Sequence, residues 1–438
     1  MSIPVVTVGH GTEPLVGSLE RLHGPVSVVR RCEELAELLA ACQSGLARAA
    51  VVAGEAGELT ASLVDRLSAV GVAVVALTDS PDEAARLRGI GVTARPIDVA
   101  AEELAAVIAA AVAGLSAAAP EAGSDAFTVA AAPRTPGHVA GSDGGEPSWT
   151  QPGTGEIIAV WGPAGAPGRT TLAVNMAGEL AAAGRSVLLV DADSYGASVA
   201  AALGLLDEAA GLAQACRLAD QGSLDADALH RLALPVATKA GNFRVLTGIT
   251  RADRWTELRA AALALVYSRV REIADVTVID TGFCLEADEE LSFDSMAPRR
   301  NAATLRSLQL ADTVYAVGSA DPVGVPRLVR GLAELSAAVP EALPRVILNK
   351  VRPAAVGRAP ERQLKEAWAR YGPAAPISAF LPSDAAACDS ALLAGSLLHE
   401  TAPDSPLRRA IAHLVCAPAQ RKSKSSVFSS TASRWAKD

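Results

Sequence analysis

Residues 156–180 run from a buried-strand pattern through a glycine- and proline-rich turn into a helical pattern without a break. Glu156-Ile157-Ile158-Ala159-Val160 is an apolar run of strand length, and Leu172–Leu180 has helical periodicity. Between them lies Gly162-Pro163-Ala164-Gly165-Ala166-Pro167-Gly168-Arg169-Thr170-Thr171. Such a succession commits this part of the chain to α/β architecture, because the strand end, the turn and the helix N-terminus must converge. Backbone N–H groups gathered at that point suit a phosphate. The turn departs from G-x-x-x-x-G-K-[ST] at two places: Pro163 holds the first glycine position and Arg169 the lysine position. Arg169 keeps the charge but as a planar fork, not a compact ammonium. Pro167 removes one backbone donor from the turn. A Gly/Pro connection that only joins strand to helix is the alternative reading.

Two later segments favour the phosphate reading. Ser186-Val187-Leu188-Leu189-Val190 is a second apolar strand, ending in Asp191-Ala192-Asp193, whose two carboxylates share one side at period two. Val276-Thr277-Val278-Ile279-Asp280-Thr281 also ends an apolar run with an acid. Open α/β sheets bind ligands at the C-terminal ends of their strands. A nicotinamide-binding Rossmann unit is the competing fold. However, Gly162, Gly165 and Gly168 do not space as G-x-G-x-x-G, and a ribose role for Asp191 leaves Asp193 without a purpose.

On these motifs residues 155–415 resemble the MinD/ParA family of P-loop ATPases, most closely its CpaE/TadZ-like branch, which also carries an N-terminal receiver-like domain. The family's K-G-G-x-G-K-T-T corresponds to Ala164–Thr171, its V-D-x-D strand end to Val190–Asp193, and its hydrophobic-D-T strand to Ile279–Thr281. The resemblance implies ATP and Mg²⁺ as ligands, with Gly165, Ala166, Pro167, Gly168, Arg169, Thr170 and Thr171 around the phosphates. Asn349, ending Val346-Ile347-Leu348-Asn349-Lys350, would read adenine, and Pro382 of Leu381-Pro382-Ser383-Asp384 would close over the base. Thr170, Asp191 and Asp280 would serve the metal. Asp193 and Arg169 would be catalytic, Asp193 orienting the attacking water. The family's first lysine, which reaches across an ATP-dependent homodimer, is Ala164 here, so hydrolysis is expected to be weak or partner-dependent. Arg299 or Arg300 is the candidate replacement for that cation. The function implied is localisation of a pilus-assembly or secretion machine. Chromosome partitioning or septum-site positioning is the alternative, and a nucleotide-independent scaffold is the alternative of another class.

The 438 residues leave room for more than one domain. Residues 1–115 alternate apolar strands (Pro4–Val8, Val26–Arg30, Ala49–Ala53, Val72–Leu77, Gly91–Pro96) with helical segments including Cys32–Ala41, Leu59–Val70, Pro81–Arg88 and Ala101–Leu115. That pattern predicts a parallel, receiver-like (flavodoxin-like) sheet. Thr78 and Arg95-Pro96 stand at receiver positions. Ala53-Gly54-Glu55 replaces the phospho-accepting aspartate, and Gly9-His10-Gly11-Thr12 replaces the acidic pair, so this is expected to be a pseudo-receiver that docks partners. Residues 116–154, rich in Ala, Pro, Gly and Ser, read as a flexible linker holding two mechanically separate units. An ATPase-like domain over 155–416 follows, a P-loop, mostly parallel sheet with helices on both faces. Residues 417–438 read as a basic, disordered tail or, less favoured, a membrane-surface helix with Phe428, Ala432 and Trp435.

A net charge of -9 argues against whole-surface nucleic-acid attraction but leaves local DNA or membrane contact open. The six cysteines form no C-x-x-C pair and the six histidines no ligand spacing, so no structural metal is expected. No run reaches the ~20 apolar residues of a membrane helix. The expected location is cytoplasmic, peripheral to the inner face of the membrane or the cell pole.

Overall fold

The computed structural model describes all residues except 1, 10–12, 23, 55, 119–154, 206–208, 240, 288–297 and 417–438. Glu55, most of the expected linker and the whole tail therefore lie outside the described residues. The helix Ala101–Ala118 runs three residues into the stretch expected to be linker.

The N-terminal sheet comprises β1 (Ile3–Val8), β2 (Val26–Cys32), β3 (Ala49–Ala53), β4 (Ala73–Leu77) and β5 (Thr93–Arg95). All pairs are parallel, in the order β2-β1-β3-β4-β5. That is the flavodoxin-like winding. β3 and β4 are buried on both faces, which is why they read as continuous Ala/Val runs. Alternation sorts their side chains: Val5, Val51, Val75 and Leu77 pack against Leu104 and Ile108 of the last helix. Val6, Val52, Val74 and Ala76 face the opposite layer, with Leu38, Val64 and Leu87. A helix at Glu13–Arg21, implied by the strand–helix alternation but not placed from the sequence, completes the first layer.

The second sheet comprises β6 (Glu156–Trp161), β7 (Val187–Ala192), β8 (Leu234–Ala237), β9 (Asn242–Leu246), β10 (Val276–Thr281), β11 (Thr313–Ser319), β12 (Arg345–Val351) and β13 (Ile377–Pro382). Their order is β13-β12-β11-β6-β10-β7-β9-β8, parallel except for the β8–β9 edge pair. β6 is central, and the chain leaves it for β7 on one side and later reaches β11 on the other. This puts the loop after β6 at a topological switch point, where such sheets open a crevice. The helix Arg169–Ala182 is buried over ten consecutive residues, Leu172–Ala181, between the sheet and the helix Pro406–Cys416. Small residues allow that burial: a Cβ on Gly178 would lie 2.4 Å from Leu397 Cδ1. No described helix is long and apolar enough to cross a membrane.

The two sheets are not mechanically separate, contrary to the expectation from the linker. Ala261 and half-buried Leu265, on the helix Ala260–Ile273, pack into the N-terminal core beside Leu63, Val64 and Leu67. Ser62 N donates to Asp220 Oδ1 at 2.7 Å, capping the first turn of the helix Ala61–Ala69 from the other unit. Arg86 bridges the same seam, donating to Leu59 O (2.9 Å) and Gln221 O (3.0 Å) while Glu83 holds its guanidinium. A composition-based reading of the linker could not show this, because the contact depends on faces far apart in the chain. Ala261→Arg, which sets a charge into that apolar seam, is expected to undock the N-terminal unit. Small-angle scattering should show a larger radius of gyration, and an unchanged radius would refute the contact.

Candidate functional site

The turn after β6 folds because three of its residues take left-handed backbone: Gly165 (φ 111°), Ala166 (φ 52°) and Gly168 (φ 99°). Gly168 is the N-cap of the helix Arg169–Ala182, and a Cβ there would meet Asn349 Nδ2 at 2.4 Å. Only glycine meets both demands. Asn349, two residues before the end of β12, donates Nδ2 to Pro167 O at 2.8 Å. Next to it Lys350, itself at φ 60°, donates Nζ to Ala166 O at 2.8 Å. The loop is thus braced from β12.

Arg169 folds back inside the loop. Nη1 donates to Gly162 O (3.0 Å) and Pro163 O (3.3 Å), and Nη2 reaches Asp193 Oδ2 at 3.4 Å. Its Nε is buried without a partner. A compact ammonium could not make this fork-shaped set of contacts, so the arginine ties the first half of the turn to the end of β7. Asp193 Oδ1 accepts from Tyr195 N (2.9 Å) and Gly196 N (3.1 Å), which fixes its carboxylate beside that guanidinium.

Beneath the loop, Thr170 Oγ1 donates to Asp280 Oδ2 at 2.6 Å. Asp280 Oδ1 is buried and unpartnered. Loss of solvent and the neighbouring Asp191 push the Asp280 carboxyl well above its ordinary range. Asp191 is also buried. Desolvation raises it to about 6, against the opposing pull of three backbone donors: Val199 N and Ser198 N at 2.9 Å, and Asp193 N at 3.2 Å. At Asp280 the Thr170 hydroxyl and the Arg169 charge oppose the rise. The orphaned oxygen beside a hydroxyl is an all-oxygen donor pair that suits a hard cation keeping several waters. Among the described residues no group of three or more His, Cys, Asp or Glu could hold a metal on its own.

One cleft of about 660 Å³ gathers most of the residues singled out from the sequence: Ala166, Pro167, Gly168, Arg169, Thr170 and Thr171 on its floor, with Asp193, Asn349 and Pro382 on its walls. Asp191 and Asp280 lie buried below this floor. Gly165 lines a separate, smaller cavity. Arg300 stacks its guanidinium on the Tyr195 ring at 4.0 Å, so the structure gives it a structural contact. Sequence reasoning missed Lys350 as a loop brace and Ser198, whose hydroxyl lies 3.3 Å from Thr170 Oγ1. Lys350 was visible as the neighbour of Asn349. Ser198 carried no signal.

Among solved structures, similarity extends to a ParA family ATPase from Chlorobium tepidum TLS (17% identity, 60% of this chain and 99% of that chain, TM-score 0.49). It extends also to the septum site-determining protein MinD complexed with Mg-ADP from Pyrococcus horikoshii OT3 (19%, 59% and 94%, 0.44). A third is the cell division ATPase MinD of Pyrococcus furiosus (21%, 60% and 97%, 0.43). No curated protein sequence matches the chain. Residues 158–393, which contain the loop, both acid-ended strands and the Asn349 and Pro382 walls, match the CobQ/CobB/MinD/ParA nucleotide binding domain, and the chain belongs to that family.

Proposed function

We propose that this chain binds ATP with Mg²⁺ in the cleft and acts as a positioning protein, placing a pilus-assembly or secretion machine in the manner of the CpaE/TadZ-like branch. The observation that carries the nucleotide reading is the Thr170–Asp280 pair with its orphaned oxygen, set under a glycine turn and a helix N-terminus. Residues 166–171 would hold the phosphates, Thr170 and Asp280 the metal, and Asn349 and Pro382 the base. The metal, when bound, would neutralise charge on the phosphates. Asp193, held by two backbone donors, would orient a water, and Arg169 would supply a cation from within the loop. The placing role is supported by the N-terminal unit: a flavodoxin-like sheet with Ala53-Gly54 where a phospho-accepting acid would stand, docked on the nucleotide-binding unit. Its exposed faces would read the address.

Phosphate release by the isolated chain is expected to be about 10²–10³ slower than for a loop with both cations, and to rise with a partner or on dimerisation. Full turnover by the monomer would refute this. A fluorescent fusion should mark a pole or a membrane-associated focus, a pattern lost when residues 1–115 are removed. Nucleoid-wide or mid-cell patterns would favour partitioning or septum placement instead.

A further inference from the structure

We propose that Arg327 supplies the cation that the loop lacks at Ala164, binding the terminal phosphate of a nucleoside triphosphate and so distinguishing it from a diphosphate. This inference rests on the nucleotide-binding reading above. Arg327 lies in the first turn of the helix Gly324–Ala338, which follows β11, the neighbour of β6. Its guanidinium sits directly over the turn: Nη1 would be 2.6 Å from a Cβ on Gly165. A side chain at 165 would displace the guanidinium from this position. Arg327, Ala164 and Gly165 line the smaller cavity of about 180 Å³, which adjoins the cleft at Pro167, a residue lining both.

Arg327 shares its cavity with one carboxylate but does not pair with it. Asp321 lines the same cavity, but its Oδ1 accepts from Val323 N (3.0 Å) and Gly324 N (2.7 Å), and its Oδ2 from Ser319 Oγ (2.6 Å). No ion pair joins Arg327 to an acid among the described residues. Which phosphate it meets follows from Arg169. The residue at that position of a phosphate loop reaches the outer phosphates, and here its guanidinium points at the Gly162 and Pro163 carbonyls. The 162–165 end of the turn is therefore the outer end, and Arg327 stands there. An arginine fork suits the oxygens of a terminal phosphate.

The test is calorimetric titration of the full chain with Mg²⁺ and either ADP or the non-hydrolysable analogue AMPPNP. Wild type is expected to prefer AMPPNP. Arg327→Ala is expected to weaken AMPPNP binding by about ten- to a hundredfold, the size of one charge-assisted contact, while leaving ADP binding unchanged. Arg327→Lys should retain most of the preference. The side chain is exposed, so retained ADP affinity reports an intact fold. Equal loss for both nucleotides, or no loss for either, overturns the inference and leaves the nucleotide reading standing. If wild type binds neither nucleotide, the reading itself fails and the inference with it.

Discussion

Asp280→Ala is expected to cut the affinity of the full chain for ATP–Mg²⁺ by at least about a hundredfold in calorimetric titration, the largest loss of any single substitution in the cleft. Asp280 is the one buried acid hydrogen-bonded to the Thr170 hydroxyl, and one of its oxygens has no partner. A divalent cation would satisfy that oxygen and neutralise the carboxylate in a low-dielectric site, where such pairing is strong. Without ligand the same group opposes folding. Its pKa is raised in the folded state, chiefly by burial, so the folded chain binds protons more tightly than the unfolded one. Stability is then greatest below the unfolded value and falls as pH rises through the folded one. Asp191 adds a similar fall between its ordinary range and about 6. The ligand-free chain should therefore melt higher at pH 5.5 than at pH 7. Asp280→Asn should raise the melting temperature at pH 7 while weakening Mg²⁺-dependent binding. A variant that lost stability and kept nucleotide affinity would remove Asp280 from the proposed site.

Glu179→Ala is expected to destabilise the nucleotide-binding unit by about 1.5–3 kcal/mol, the loss of charge-assisted hydrogen bonds to a buried carboxylate whose arginine partner keeps some contact with solvent. Glu179 is 4% exposed on the helix that starts at the loop, and Arg408 grips both its oxygens at 2.6 and 2.7 Å. His399 Nδ1 lies 2.8 Å from the same guanidinium. The helix Pro406–Cys416 is pinned by this cluster over the cleft, where its Leu407 and Ile411 form part of the wall. A melting temperature lower by roughly 5 °C is the corresponding thermal shift. The double change Glu179→Leu with Arg408→Met should recover much of it, because well-packed apolar groups replace such pairs at little cost. A single variant with unchanged melting temperature would show that the pair holds nothing in place.

The strands of the first sheet, and β6, β7, β10 and β12 of the second, were legible because parallel sheets are covered on both faces, so an interior strand is a short apolar run; β8, β9, β11 and β13 were not anticipated. Boundaries moved by only one or two residues, as at Val72–Leu77 against Ala73–Leu77. The phosphate turn was legible because glycines forced by left-handed backbone leave a mark in sequence. The helix Glu13–Arg21 was implied by the alternation but not placed, since only its inner face, with Val16 and Leu19, is apolar.

What the sequence alone determined is local: two α/β units, the central turn, and acids at two strand ends. Whether Arg169 points outward or folds back on Gly162 and Pro163 was decided by Asp193, a partner 24 residues away across the sheet. The docking of the N-terminal unit through Ala261 and Asp220, the bracing of the loop by Lys350, and the arrival of Arg327 over Gly165 were likewise decided only in three dimensions. The physical reason is common to all of them. Periodicity and turn chemistry act between neighbours in the chain and can be read along it. A guanidinium or ammonium finds its partner through strand order, which sets β11 and β12 on one side of β6 and β10 and β7 on the other.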